Sequence, residues 1–278
     1  MYSKKYKFLN TVIEIVTPEQ ILDENPFSQF LCEDEPHYTV IFEYGEQLPP
    51  VHKKAIADNE IAFFTEGEKS FCWYKKHGKD GYFAYRVSDG YTQKVIVLEE
   101  YRGKLWNGIL FNLMGFEEII AMSQAVVLHA SMIEINGEIV LFTAPCGTGK
   151  STQASLWEKF GGACIVNGDK ALVKCENGNI IAGGLPFSGS SNICKNISAP
   201  LKAVISLGQA CENIIRKMSE GEAFVALLQG NYRSAMNENA SKMVTDTIEK
   251  ICRNIPVYKF DCLPDESAVE RLAKELCL

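Results

Sequence analysis

The chain has 278 residues, 46% hydrophobic and 10% aromatic, with 21 Gly and 10 Pro and no heptad, collagen period or low-complexity tract. This excludes fibrous and disordered classes and leaves one large domain or two modest ones. Thirty-five acidic against 28 basic residues, a net charge of −7, disfavour nucleic acid or an anionic membrane surface as the main partner.

Residues 1 to about 100 read as β-rich. The runs KFLNTVIEIV, HYTVIFEYG, IAFFTEG, SFCWYKK, GYFAYRV and QKVIVLEE are short and apolar, as strands are. The breaks carry Gly45, Gly67, Gly78, Gly81 and Gly90, where a chain reverses at low cost, so hairpins are expected. In 104–124, apolar residues at 106, 109, 110, 113, 116, 119 and 120 keep helical spacing, which predicts one helix. That helix would bridge an N-terminal β-rich domain (1–103) and a second domain (125–278).

Beyond residue 125 strands alternate with helices. VVLHASMIEI and EIVLFTA flank Asn136-Gly137, the strongest two-residue hairpin signal. A Gly-rich loop follows, then a helix at 150–160, the run ACIV and a second hairpin around Asn177-Gly178. Strand 201–208, helix GEAFVALLQG, a helix near 238–254, strand VYKFDC and helix ESAVERLAKEL complete an α/β layered domain. The basic opening MYSKKYKFLNTVIEIV is interrupted at Asn10, Thr11 and Glu14 without a small-residue cleavage site, and no apolar run reaches the roughly 18 residues of a membrane span. A cytoplasmic protein with no membrane partner is expected. The ten cysteines show no CxxC pair; they are expected to be reduced and mostly buried rather than zinc ligands.

The informative stretch is IVLFTAPCGTGKSTQASLWEKF, residues 139–160. An apolar strand runs into Ala144-Pro145-Cys146-Gly147-Thr148-Gly149-Lys150-Ser151, and a helix begins at the lysine. Gly147 and Gly149 let successive amides point inward at phosphate oxygens, and the new helix adds its positive end. Lys150 can reach the β- and γ-phosphates, and the Ser151 hydroxyl can ligate Mg²⁺. Cys146, Gly147, Thr148, Gly149, Lys150, Ser151 and Thr152 are therefore the expected ATP-binding set. Ala144 replaces the usual first glycine, at little cost if it keeps strand-end angles. Ala154, Trp157 and Phe160 should share the helix face that packs on the sheet.

Three further features gather around this loop. If Asn136-Gly137 are the turn residues, paired positions sum to 273 and His129 lies opposite Ala144; it is either a proton shuttle or γ-phosphate donor, or a structural strand histidine. Asp169, in Ile165-Val166-Asn167-Gly168-Asp169, sits where a strand-end carboxylate can hold Mg²⁺ or accept a proton from an attacking hydroxyl; the alternative is an Asx-type turn residue. The Gly/Ser-rich stretch GGLPFSGSSNICKN, 183–196, could fold over phosphates or an acceptor, with Lys195 offering positive charge. Arg216 and Arg233 are candidate transition-state cations.

His129, the loop APCGTGKST, the aspartate after the first helix-strand unit, and GLPFSGSSN together resemble the catalytic domain of HPr kinase/phosphorylase and its relatives, itself similar to the core of nucleotide-dependent phosphoenolpyruvate carboxykinases. The resemblance spans about 125–276. It implies a P-loop fold of unusual strand order and ATP-dependent phosphorylation of serine in a peptide or small protein. By it, Lys150 and Ser151 hold phosphates and Mg²⁺, His129 is an active-site residue, and Asp169 is metal ligand or base. That family commonly has two adjacent aspartates where this chain has Gly168-Asp169, so one acid is missing. The Glu-Arg-Gly signature of true HPr kinases is also missing after the second hairpin. The resemblance is thus to HPr-kinase-like proteins of peptide-modification gene clusters, including those that phosphorylate lasso precursor peptides. The expected activity is transfer of the γ-phosphoryl of Mg-ATP to a hydroxyl, with catalytic roles for Asp169, His129 and Lys150. An ATP-binding regulatory module without transfer, or a small-molecule kinase, are the alternatives. A peptide or small-protein partner is expected, and a homo-oligomer is left open.

Overall fold

Alternation of buried and half-exposed side chains lays the first hundred residues into one sheet. The computed structural model describes every residue except 23–24, 190 and 232–235. The chain is mixed α/β and divides into two compact units, Met1–Met122 with Arg233–Lys242 and Ser123–Tyr232 with Met243–Leu278. Among the described residues no helix is long and apolar enough to cross a membrane.

The first unit contains β1 (Tyr2–Phe8), β2 (Thr11–Thr17), β3 (Tyr38–Gly45), β4 (Ile56–Ala57), β5 (Ile61–Glu66), β6 (Lys69–Lys75), β7 (Tyr82–Asp89) and β8 (Thr92–Leu98), ordered β1-β2-β3-β8-β7-β6-β5-β4. Hairpins join β5 through β8 as expected. KFLNTVIEIV is not one strand, because Leu9 at φ 53° turns the chain back into the β1–β2 hairpin. The pairs β2–β3 and β3–β8 are parallel, which hairpin spacing does not foretell.

The single helix expected over 104–124 is two: α1 (Asn107–Leu113) and α2 (Phe116–Met122). The break falls at Gly115, φ 60°, where a Cβ would overlap Arg86 Nη1. Arg86 is fully buried and donates to the Met114 carbonyl at 3.2 Å while pairing with Glu118 at 3.0 Å; Ser70 Oγ also donates to Glu118, at 2.9 Å. A buried ion pair survives desolvation only with such added hydrogen bonds. Phe111 and Phe116 meet the Phe8 ring edge-on at 5.7 and 5.0 Å, fixing both helices on the sheet.

The second unit contains β9 (Ala125–Ile135), β10 (Glu138–Thr143), α3 (Lys150–Phe160), β11 (Cys164–Asn167), β12 (Lys170–Glu176), β13 (Asn179–Gly183), β14 (Ser198–Gln209), β15 (Ile214–Lys217), α4 (Glu220–Gly230), most of α5 (Glu238–Asn254), β16 (Val257–Cys262) and α6 (Glu266–Leu276). Both Asn-Gly pairs turn with positive φ, 53° and 78° at 136–137 and 48° and 81° at 177–178, the angles a two-residue hairpin needs. The register expected from the first turn is present, from Glu138↔Ile135 to Thr143↔Ala130. Two long strands serve twice. Residues 125–129 of β9 pair with β12 and the rest with β10 and β11, while β14 pairs with β13 at its start and with β10 and β16 beyond. The pairings β9–β10–β14–β13–β12 therefore return to β9.

Strands β10, β14 and β16 are parallel neighbours, so their carboxyl ends share one edge, where ligands bind in open α/β sheets. Helices α3 and α6 cover this sheet with Ala154, Trp157, Val269 and Leu272 packed over Phe142, Ile205 and Phe260. Phe160 does not join that face. It is 39% exposed with Lys159 Nζ 4.5 Å above its ring, and Gln153 turns inward instead. None of the ten cysteines is in a disulfide, and only Cys72 and Cys262 are buried, so burial does not account for most of them.

Candidate functional site

The phosphate-loop candidate sits at the carboxyl end of β10. Ala144 keeps a negative φ, as expected for a strand end, whereas Gly147 and Gly149 have φ of 79° and 112°, angles costly to a residue with a side chain. The Thr148 amide closes the bend on the Pro145 carbonyl at 3.3 Å. Gly149 is the N-cap of α3 and offers no side-chain cap. The helix's own ladder starts with Gln153 N–H to Gly149 at 2.9 Å, so the first-turn amides lie ahead of it, at the positive end of the helix dipole. Cys146, Ser151 and Thr152 are exposed along this curl, and Lys150 is buried with its Nζ donating to the Ala144 carbonyl at 3.0 Å. Burial pulls the lysine below its ordinary pKa, against the attraction of Asp169.

On the β9 side of this loop, His129 and Asp169 come together. Thr143↔Ala130 is the last β10 pair, which leaves His129 one step beyond the strand end, and Lys170↔His129 brings Asp169 beside it. His129 Nδ1 lies 3.2 Å from Asp169 Oδ1. A carboxylate only accepts, so the neutral imidazole carries its hydrogen on Nδ1. Burial lowers the His129 pKa, Lys150 lowers it further, and Asp169 opposes both. Three residues predicted from three separate segments thus share one electrostatic neighbourhood.

Residues 108–265 match the family model of ScmC, described as SynChlorMet cassette protein ScmC. The chain belongs to the ScmC family. Among curated proteins none matches it. Among solved structures, the Hpr(Ser) kinase/phosphatase from Coxiella burnetii is similar at a TM-score of 0.32 and 17% sequence identity, over 54% of this chain and 94% of that one. A likeness that shallow leaves function to the geometry of the site.

In this ScmC-family chain the Asx turn of Asn167-Gly168-Asp169 is made by Asn167, not by the aspartate. Asn167 Oδ1 accepts the amides of Asp169 and Lys170, both at 2.9 Å, and Nδ2 donates to the Leu185 and Phe187 carbonyls, both at 3.1 Å. The fully buried amide therefore aims the acid and anchors the 184–197 loop in one stroke. Sequence reasoning missed it, although the same N-G-D tripeptide carried the signal. Gln153, also missed, donates to the Leu263 carbonyl at 3.1 Å. It lines a cleft of about 370 Å³ that runs from Gly147–Gly149 to Gly208 and Pro264, along the carboxyl ends of the three parallel strands.

The expected cations do not converge on the loop. Lys195 Nζ donates to Cys164 Sγ at 3.0 Å. Cys164 pairs with Glu134, five residues along β9 from His129, so the lysine is directed to the other end of β11. Arg216 is held by Glu222 at 2.7 and 3.1 Å, closing the capped start of α4. Arg233 lies outside the described residues.

Proposed function

We propose that this chain is an Mg-ATP-dependent phosphotransferase that moves the γ-phosphoryl group to a hydroxyl, specifically a serine of a peptide or small protein. The observation that carries this reading is the uncapped start of α3, with Lys150 beneath it and the His129–Asp169 pair at its mouth. The donor set suits a polyphosphate: first-turn amides, an ammonium and the Ser151 hydroxyl, with no carboxylate in the loop itself. The 370 Å³ cleft beside Gly147–Gly149, whose lining does not include Asp169, has room for a nucleoside. The motif resemblance to HPr kinases supports serine as acceptor.

Phosphoryl transfer asks the protein for position and charge neutralisation. Lys150 and the loop amides would hold the β- and γ-phosphates, and Ser151 with Asp169 would supply the protein's oxygens to Mg²⁺. That ion, when bound, neutralises charge on the phosphates. Asp169 would also orient the acceptor hydroxyl and take its proton, with His129 Nδ1–H holding the carboxylate in place. The second reading, nucleotide binding without transfer, is favoured by Gly168 at the place of a second acid.

Labelled ATP with Mg²⁺ and a mixture of synthetic serine-containing peptides decides between them. Transfer of label to peptide is expected, and retained binding with no transfer to any acceptor selects the regulatory reading. Lys150→Ala should abolish ATP binding; unchanged affinity refutes the phosphate-loop assignment. Asp169→Asn should spare binding and lower transfer about 10²- to 10⁴-fold, the usual contribution of a positioned acid or base.

A further inference from the structure

Gly168 stands where a side chain has no room. A Cβ built there would overlap Ser191 Oγ and lie 2.6 Å from Ser191 Cβ, so the serine side chain fills the space beside the Gly168 α-carbon, one residue from Asp169. Two residues earlier the same loop lies on the acid itself: a Cβ on Gly189 would be 3.1 Å from Asp169 Cγ and 3.2 Å from its Oδ1. Both roots of the loop are tied to β11, whose last residue stands two positions before the acid. Asn167 holds the Leu185 and Phe187 carbonyls and bridges to Cys194, and the Lys195 amide donates to the Val166 carbonyl at 2.9 Å. A hydroxyl is thus seated on the residue before the carboxylate, and the backbone two residues before that hydroxyl lies against the carboxylate itself.

We propose that Ser191 is an intramolecular phosphoacceptor, modified by the chain's own active site; this rests on the phosphotransferase reading above. Ser191 Oγ forms a bond to the γ-phosphorus of ATP. The bond from that phosphorus to the β,γ-bridging oxygen breaks, its electron pair leaves on ADP, and the hydroxyl proton passes to the Asp169 carboxylate. The phosphoserine so formed carries close to two negative charges against the same carboxylate, which loosens the loop's seat on Gly168.

The test incubates the full chain with Mg²⁺ and ATP over a dilution series, maps phosphate by peptide mass spectrometry, and measures ATP binding by calorimetry in parallel. Phosphate is expected on Ser191, at a fractional rate independent of protein concentration, and absent from that position in Lys150→Ala. ATP binding without phosphate on Ser191, phosphate on Ser188 or Ser190 instead, or a fractional rate proportional to concentration overturns the inference and leaves the phosphotransferase reading standing. Absence of ATP binding overturns both. A nucleotide-free readout tests the seat itself. Gly168→Ala should expel Ser191 and speed proteolytic cleavage within 188–192 several-fold, and Gly168→Ala/Ser191→Gly should restore resistance. Equal cleavage of Gly168→Ala and the parent chain shows that the serine does not occupy that space and overturns the proposal.

Discussion

Asn167→Ala removes four hydrogen bonds to backbone groups at a fully buried position, two to loop carbonyls at 3.1 Å and two from the amides of Asp169 and Lys170 at 2.9 Å, besides a long one to Cys194 Sγ at 3.9 Å. At about 1 kcal/mol net for each bond, the second unit should lose about 4 kcal/mol. Trp157, fully buried in that unit's core, reports its unfolding directly once Trp73 and Trp106 are replaced by Phe. Urea titration followed by Trp157 fluorescence should then show an earlier midpoint with an unchanged slope. Asn167→Asp separates the two jobs. Its carboxylate still accepts the Asp169 and Lys170 amides, but it sets an oxygen against the Leu185 and Phe187 carbonyls. It should therefore release the loop and cost at least as much at neutral pH, because a charge is buried against two carbonyl oxygens, with part of the loss recovered at low pH where the acid can donate. A loss below about 1 kcal/mol for Asn167→Ala, within the range of ordinary surface changes, would refute the claim that this side chain pins both the acid and the loop.

Gly149→Ala should cost roughly 1–3 kcal/mol, because φ 112° suits only glycine, and should weaken ATP binding at least tenfold by turning the α3 amides; calorimetry showing unchanged affinity contradicts the cradle. His129 has a folded pKa below its unfolded one, through burial first and Lys150 second. The unfolded chain therefore binds the extra proton, so this contribution to stability is present above about pH 6.5 and lost as pH falls through and below it. Relative to His129→Gln, the parent chain should lose more stability on acidification, and parallel denaturation curves would count against it. In the first unit, Arg86→Met alone leaves Glu118 buried and unpaired and should destabilise by about 3–5 kcal/mol, whereas Arg86→Met/Glu118→Leu should recover most of that loss in thermal unfolding. An additive double variant would remove the pairing from the account.

What could be read before folding was whatever neighbouring residues decide among themselves. The two Asn-Gly turns set hairpin register because the turn angles are local, and the β9–β10 register followed from the first turn. Helices α3, α5 and α6 were legible from periodicity, and the bend between β10 and α3 from a strand, two glycines and a lysine in sequence. Tertiary structure decided which distant segments meet. The parallel pairs of β2, β3 and β8, and the return of the second sheet upon itself, join strands whose partners no turn specifies. The space beside Gly115 is taken by Arg86 of β7, and the space at Gly168 is filled by a serine 23 positions later. Lys195 looked available for phosphate because its charge was visible and its destination at Cys164 was not. Backbone conformation is a property of a few adjacent residues, but the direction of a long side chain is settled by the packing around it.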